Sequence, residues 1–296
     1  MTSPLMTVPE VAAYLRLGER KIYDLVSRGD IPCVRVTGKL LFPRAHIDLW
    51  LTERADLPQG MPRRPQRPPV ITGSHDMLLE WAVRQSGCAL ALLMDGSGNG
   101  LRRFAEGGAV ACGVHVVDPD TGVFNGPAVE RALVGVPAVR IHWARRETGL
   151  VLPAGNPSGI RTLADFANAD ITFADRPPGA GGHILLRHLM RQEGLPADGL
   201  WRSRREAVNE ADVASLILEG KAGAGFAPRA AANRFGLTFI PLAWDEFDIV
   251  IERRDYFDPP FQALLRYARS PALVDKARLL GGYDISGLGE VRHNAP

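Results

Sequence analysis

Two kinds of hydrophobic patterning divide this chain. In residues 7–51 apolar positions recur at helical spacing in short bursts. Thr7-Val8-Pro9-Glu10 has the form of a capping box, with a proline in the first turn, where its missing N–H is not needed. Val8, Val11, Ala12 and Leu15 then share one face, and Gly18 breaks the run. A second helix is predicted over 19–28, burying Ile22, Leu25 and Val26 and ending at Gly29. Residues 31–36 read as extended, Thr37-Gly38-Lys39 as a turn, 40–42 as a returning strand, and 44–51 as a last helix opened by Pro43. From residue 70 onward strands and helices alternate. Strands are predicted at 70–73, 89–94, 110–117, 139–143, 149–152, near Ile171, and at 223–227, 238–242 and 249–252. Helices are predicted at 74–85, 99–105, 127–133, near Leu163, at 182–193, at 208–218 and after Pro259. Alternation of this kind predicts α/β layers on mostly parallel sheets.

Between the two patterns lies LPQGMPRRPQRPP, residues 57–69, whose five prolines exclude helix interiors and central strands and favour an extended spacer. The expected organisation is a small domain over 1–56, a linker over 57–69 and a larger domain over 70–296. Residues 1–69 hold eleven Lys and Arg against seven Asp and Glu, on a chain whose net charge is +2, so the small end is basic and the body slightly acidic. That asymmetry fits a nucleic-acid-binding module joined to something else. Three scattered cysteines, Cys33, Cys88 and Cys112, form no C-x-x-C pair; neither a disulfide framework nor a zinc site is expected. Residues 1–10 lack the basic and apolar regions of a secretory leader, and the longest apolar run, 88–94, is too short to span a bilayer. A cytoplasmic protein without membrane partners is expected, and no cofactor is.

Two short helices followed by a hairpin fit a winged helix-turn-helix, whose second helix must present polar side chains to the major groove. Arg20, Lys21, Tyr23 and Asp24 on the second helix, with Arg35, Lys39 and Arg44 on or beside the wing, are the candidate contacts to double-stranded DNA. Solvated surface charge is the other reading of each. The residues Ala12, Ala13 and Leu15, the run I-Y-x-L-x-x-x-G-x-I-P over 22–32, Val34-Arg35-Val36, and P-R-x-x-I-x-x-W-L over 43–51 closely resemble the excisionase-type, MerR-like helix-turn-helix family. The resemblance implies binding to an operator, with a homodimer as the default state. Phage excisionases share the module, so an architectural DNA-binding role remains an alternative.

In the body, ligands of an α/β sheet are expected beyond the carboxyl ends of strands, where helix N-termini offer free N–H groups to anions. Three loops qualify: 72–76 with Ser74 and His75, 95–99 with Ser97 and Gly98, and 176–183 with Arg176, Gly179, Ala180, Gly181 and His183. Ser74 and Ser97 can equally be helix caps. His115 can be a core histidine at a strand end, and Arg146 a salt-bridge residue. Neither G-x-G-x-x-G nor a Walker motif is present. Residues 71–252 resemble the periplasmic-binding-protein-like domain of bacterial regulators, a relative of molybdate-binding proteins. The matching residues are Ser74-His75-Asp76, Gly96-Ser97, His115 with 118–122 and Asn125, 146–150, 155–157, Gly179-Ala180-Gly181 and 239–242. The resemblance implies a two-lobed type II fold, with lobe I at about 70–146 and 254–296 and lobe II at about 147–253. Crossings are expected near 145–150 and 252–256, and a cleft that closes on ligand is expected between the lobes. It further implies a transcription regulator that senses a small anion such as molybdate or tungstate, or a metabolite linked to molybdoenzymes. The family often carries Thr-Arg where Gly182-His183 stands here; His183 can replace part of what they supply to an anion, and an ordinary surface histidine is the other reading. A hydrolase built on Ser97 is a further alternative, although no G-x-S-x-G elbow is present. No enzyme activity is expected.

Overall fold

The computed structural model describes residues 5–54, 67–168, 170–196 and 204–294. The chain divides into two compact units, 1–66 and 67–296. The first holds β1 (Leu5–Met6), α1 (Val8–Leu15), α2 (Glu19–Ser27), β2 (Val34–Val36), β3 (Lys39–Pro43) and α3 (Arg44–Arg54). The capping box forms as expected: Glu10 accepts from the Thr7 N–H at 2.7 Å and from its hydroxyl at 2.8 Å. Ile22, Val26, Phe42 and Ile47 close the small core against α1. The strands pair in the order β1-β3-β2, and the β2–β3 hairpin turns through Thr37 and Gly38, both at positive φ, the backbone geometry that matches strand twist. This is a winged helix-turn-helix.

The second unit runs β4 (Val70–Gly73), α4 (Met77–Ser86), β5 (Ala91–Leu93), α5 (Ser97–Ala105), β6 (Ala111–Val114), α6 (Gly126–Ala132), β7 (Ala138–Leu152), α7 (Leu163–Asn168), β8 (Phe173–Asp175) and α8 (Gly181–Gln192). It continues through β9 (Arg204–Glu206), α9 (Glu210–Leu218), β10 (Ala224–Pro228), α10 (Arg229–Phe235), β11 (Thr238–Glu252), α11 (Pro259–Ala268), α12 (Pro271–Leu280), β12 (Tyr283–Asp284) and β13 (Val291–Asn294). The strands form one curled sheet in the order β5-β4-β6-β11-β7-β10-β8-β9, with β12 and β13 pairing along β7. Its two lobes have separate cores. Trp143, Phe247, Phe261 and Leu264 anchor lobe I; Leu150, Phe166, Phe173 and Met190 anchor lobe II.

The strands predicted at 139–143 and 149–152 are one strand, as are those at 238–242 and 249–252. The polar stretch Arg145-Arg146-Glu147-Thr148 reads as a break in a sequence pattern. Here it is the middle of β7, passing from one lobe to the other. Arg146 lies opposite Asp245 of β11 in the strand register, which satisfies its charge inside the sheet. Register shifts in β11 at Pro241/Ala243 and Phe247/Asp248 mark where the paired strands bend between the lobes. Beyond the second shift, Asp248 to Ile251 pair with β6 of lobe I. The return crossing therefore lies at 241–248 and not at 252–256, because β11 changes lobe partway along its own length.

Most of the linker, 57–66, lies outside the described residues. Its last residues are part of the second unit. Arg67 donates to the carbonyls of Phe104 at 2.6 Å and Ala109 at 3.0 Å and lies over the Phe104 ring, and the Pro69 carbonyl accepts from Ala91.

At the lobe crossing, a Cβ placed on Gly149 would sit 1.9 Å from the Ile240 carbonyl oxygen, with backbone on every side. Gly149→Ala is expected to force β7 and β11 apart and to cost roughly 1–3 kcal/mol, as overpacking does. Gly98→Ala, where nothing lies within 4 Å, is expected to be neutral or slightly stabilising. Urea unfolding of the two variants beside the wild type checks the pair.

Candidate ligand-binding and DNA-contacting sites

The carboxyl ends of the parallel strands in both lobes lead into helix N-termini along one seam. From lobe I, β4 delivers Ser74 and His75, β5 leads through Gly96 into α5, and β6 ends at His115. From lobe II, β8 leads through Arg176 to α8, and β9 leads to α9, whose first residue is Glu210. Asp76 caps α4 by accepting from the Leu79 N–H, and Asn209 caps α9 by accepting from Asp212. The N-termini of α5 and α8 carry no side-chain cap; their preceding residues are Gly96 and Ala180. Ser74 and Ser97 are thus not caps. Their hydroxyls bond each other at 2.6 Å, both buried, and Ser97 Oγ also accepts the His115 backbone N–H at 3.2 Å. Among the described residues the hydrogen bonds of Ser97 Oγ run to Ser74 Oγ and the His115 backbone N–H, and none runs to an imidazole.

The lobes meet at these groups. A Cβ on Gly181 would lie 1.8 Å from the His115 carbonyl oxygen and 2.7 Å from its ring, so only glycine allows this approach. Beside it, Glu210 is enclosed by three side chains: His75 Nδ1 at 3.5 Å, His115 Nε2 at 3.9 Å and Arg176 at 3.9 Å. Both Glu210 oxygens, the Nδ1 atoms of His75 and His115, and Arg176 Nε are buried without a hydrogen-bond partner. Unpaired buried groups of this kind cost about 1–3 kcal/mol each unless a guest pairs them, although His75 Nδ1 and Glu210 already face each other at 3.5 Å. His75, Arg146, Glu210 and Tyr283 border a cavity of about 10 Å³ at the seam, room for one water.

Burial lowers the His115 imidazole to about 4, helped by the charge of Arg146, so it is neutral at physiological pH. Burial also works against a charged His75, but contact with Glu210, then Glu80 and Asp76, outweighs it and raises the group above its ordinary value. Burial would raise Glu210; its hydrogen-bonding contact with His75 and the charge of Arg176 hold it well below the carboxylate range instead.

Three sequence candidates are engaged elsewhere. Arg146 is 1% exposed and gives two hydrogen bonds to Asp245, at 2.9 and 2.7 Å, and others to Asp76 and the His75 carbonyl. It is the salt-bridge residue of the two readings. Asn125, fully buried, accepts from the Val116 N–H and donates to the Glu246 carbonyl and Asp248; it fastens a loop to β11. His183 is buried against Asp175 at 3.1 Å, because the first turn of α8 aims it back at the end of β8. It does not take the place of Thr-Arg at the seam. Gly98 and Gly179 are exposed, while Ala180 and Gly181 are buried. Glu210 escaped the sequence reading. Its signal was the same as for the other loops, a helix start after a strand, but β9 is short and its polar residues Arg204-Arg205-Glu206 do not read as a strand.

In the first unit, Arg20, Lys21 and Tyr23 are exposed on α2, with Ile22 and Val26 buried behind them. Asp24 is tied to Lys21 at 3.2 Å and Arg28 at 2.8 Å. Arg35 and Lys39 are exposed on the wing, and Arg44 stacks on Tyr14 at 4.4 Å beside Asp48.

The family described as "PBP superfamily domain" matches residues 79–269, and that described as "Helix-turn-helix domain" matches residues 5–55. The uncharacterized protein YvgK of Bacillus subtilis (strain 168) is 27% identical over 300 residues, covering 96% of each chain. Among solved structures, a protein from Clostridium perfringens, assigned as a phosphate ABC transporter substrate-binding protein and holding bound phosphate, covers 75% of this chain and 99% of its own. Its TM-score is 0.55 at 13% identity. The sulfate-binding protein SubI of Mycobacterium tuberculosis H37Rv covers 73% and 86%, at TM-score 0.50 and 13% identity. At these identities the likeness is one of fold.

The His75–Glu210 contact carries a pH signature. A histidine raised on folding stabilises fully below its unfolded value of 6.5 and loses that contribution as pH climbs through the folded value. A lowered glutamate stabilises above 4.5 and loses that contribution only as pH falls. The contact is therefore strongest between these values and weakens toward alkaline pH. The melting temperature of the second unit is expected to fall between pH 6 and 8.5 as His75 loses its proton. His75→Gln should flatten that slope; an unchanged slope would remove His75 as its source.

Proposed function

This chain belongs to the PBP superfamily, and with a helix-turn-helix domain ahead of that body we propose that it is a cytoplasmic transcription regulator that senses a small anion. The observation that carries the reading lies at the lobe seam, where the uncapped N-termini of α5 and α8 and the buried Ser97 hydroxyl meet His115, and Arg176 stands beside Glu210. The bound phosphate and the sulfate named for two proteins of the same fold are compatible with this class of ligand. Molybdate and tungstate belong to the class, and the geometry supports the class more than either member. The reading assigns no catalytic role to Ser97.

In mechanism, the ligand binds where the lobes meet and favours the closed form. It can shift the balance only by the difference between its affinities for the open and closed states. A homodimer would carry two reading heads, whose spacing on two half-sites then follows the lobes. Exposed Arg20 and Lys21 at the start of α2 meet the major groove, while Arg35 and Lys39 on the wing meet phosphates. Arg44, stacked on Tyr14, is better placed to hold α3 than to reach out.

Duplexes selected from a random library by the full chain supply a probe for both halves. Arg20→Ala or Lys21→Ala is expected to weaken binding by about 5- to 150-fold, the range for losing 1–3 kcal/mol. Affinity should also fall steeply with salt, as phosphate contacts require. Addition of the bound anion should change DNA affinity. Flat salt dependence would remove the DNA-reading half. Unchanged DNA binding with ligand present, and after deletion of residues 70–296, would favour an architectural role.

A further inference from the structure

Away from the seam, a second group of polar side chains meets on the paired strands β7 and β11. Among the described residues, one ligand atom each from His142, Glu246 and Asp248 lie within 4.8 Å of one another. The register brings them together: His142 of β7 stands opposite Asp248 of β11, at the shift between Phe247 and Asp248, and Glu246 comes from the same strand two positions earlier. The three are unequally committed. Asp248 is fully buried; its Oδ2 accepts from Arg140 at 2.6 Å and from Asn125 at 2.9 Å, while its Oδ1 faces His142 Nδ1 at 3.0 Å. His142 is 2% exposed. The Glu246 carboxylate is half-buried, and among the described residues it holds no hydrogen bond or ion pair; Asn125 donates to its backbone carbonyl instead. One carboxylate is thus neutralised from behind by Arg140, and the other brings an uncompensated negative charge to an imidazole.

We infer that these three residues bind a divalent first-row metal ion of the zinc kind, with His142 Nδ1, Asp248 Oδ1 and a Glu246 oxygen as ligands and water in the remaining positions. The inference is independent of the anion-site reading. Metal–ligand bonds of about 2.0–2.2 Å put neighbouring ligand atoms about 3.0–3.4 Å apart, and the 3.0 Å between His142 and Asp248 already has that value. Glu246, the most exposed of the three, turns in to complete the set. The ion enters where a proton now lies between imidazole and carboxylate; a charged His142 loses that proton, and a neutral one keeps its proton on Nε2. Arg140 and Asn125 support the site by holding Oδ2, which fixes the carboxylate with Oδ1 toward the imidazole. The Arg140 charge also opposes a cation beside it, so the ion is held in the micromolar range and not as tightly as a structural zinc. One imidazole with two carboxylates suits zinc or manganese, whereas calcium takes six to eight oxygens. The bound ion joins β7 to β11 at the bend between the lobes and stiffens it.

Calorimetry of the chelator-treated full chain with Zn²⁺, at pH 7 in a phosphate-free buffer, tests the site. One ion per chain should bind in the micromolar range. Glu246→Gln keeps the side chain's size and removes an ionised ligand. It should weaken the ion by roughly 10–100-fold or more, since losing even an outer-shell partner costs that much. His142→Gln should abolish binding. Glu246 is half-buried and unbonded, so its substitution decides even if His142→Gln folds poorly. Co²⁺ in place of Zn²⁺ supplies a spectroscopic signature: visible d–d bands without the thiolate charge-transfer absorption that a cysteine ligand brings. Cys33 is the cysteine that is not buried, and Cys33→Ser should leave the affinity unchanged. A Glu246 with a merely structural role would lower the melting temperature without metal and leave the affinity of the folded variant unmoved. Zn²⁺ bound at wild-type strength by Glu246→Gln, a thiolate band that vanishes in Cys33→Ser, or no binding by wild type would each overturn the site.

Discussion

The ion pair between Arg146 and Asp245 lets a single sheet serve two lobes. The residues face each other across β7 and β11, each 1% exposed, at the stretch where both strands leave one core for the other. An unpaired charge there would be prohibitive, and removing one partner of such a pair costs about 3–5 kcal/mol. The pair also reaches outward. Arg146 bonds Asp76, and Asp76 in turn caps α4 and accepts from Trp143 and Tyr283. One buried charge network thus holds the crossing strands, the first helix of lobe I and the returning C-terminal segment in a single arrangement, and the seam is built around it.

The small unit was largely legible in its sequence. The capping box, the Gly18 break and the apolar face of α2 are local signals, and local hydrogen bonds decide the outcome. The body was legible as alternating elements but not as through-running strands. Arg145 to Thr148 look like a loop to any reading that expects strands to be apolar. Their partners, Asp245 for Arg146 and Arg229 for Glu147, lie about a hundred positions away or just under it in the chain.

The same distance effect governs the candidate site. Ser74, Ser97, His115 and Gly181 were found because the rule that ligands lie beyond strand ends needs only local elements. Asn125 came from the family resemblance and His183 from its place in the altered loop, and the fold engages both internally, on Glu246, Asp248 and Asp175. Glu210 follows a strand with polar residues, so the rule had nothing to act on. What marks it is the absence of a hydrogen-bond partner inside a buried ring, a property that exists only in three dimensions.

Helix α5 has a different occupation at each end. Its first residue, Ser97, faces the seam, and near its last turn the Phe104 carbonyl accepts from Arg67, with the guanidinium stacked on the Phe104 ring. Arg67 is the first described residue of the body. A nine-residue helix is a stiff rod about 13 Å long. The candidate site and the start of the body therefore lie at opposite ends of one helix. Between those ends Leu101 and Phe104 are buried in a cluster with Cys112, Val114 and Val250, so the rod is fastened to β6 and β11 along its length.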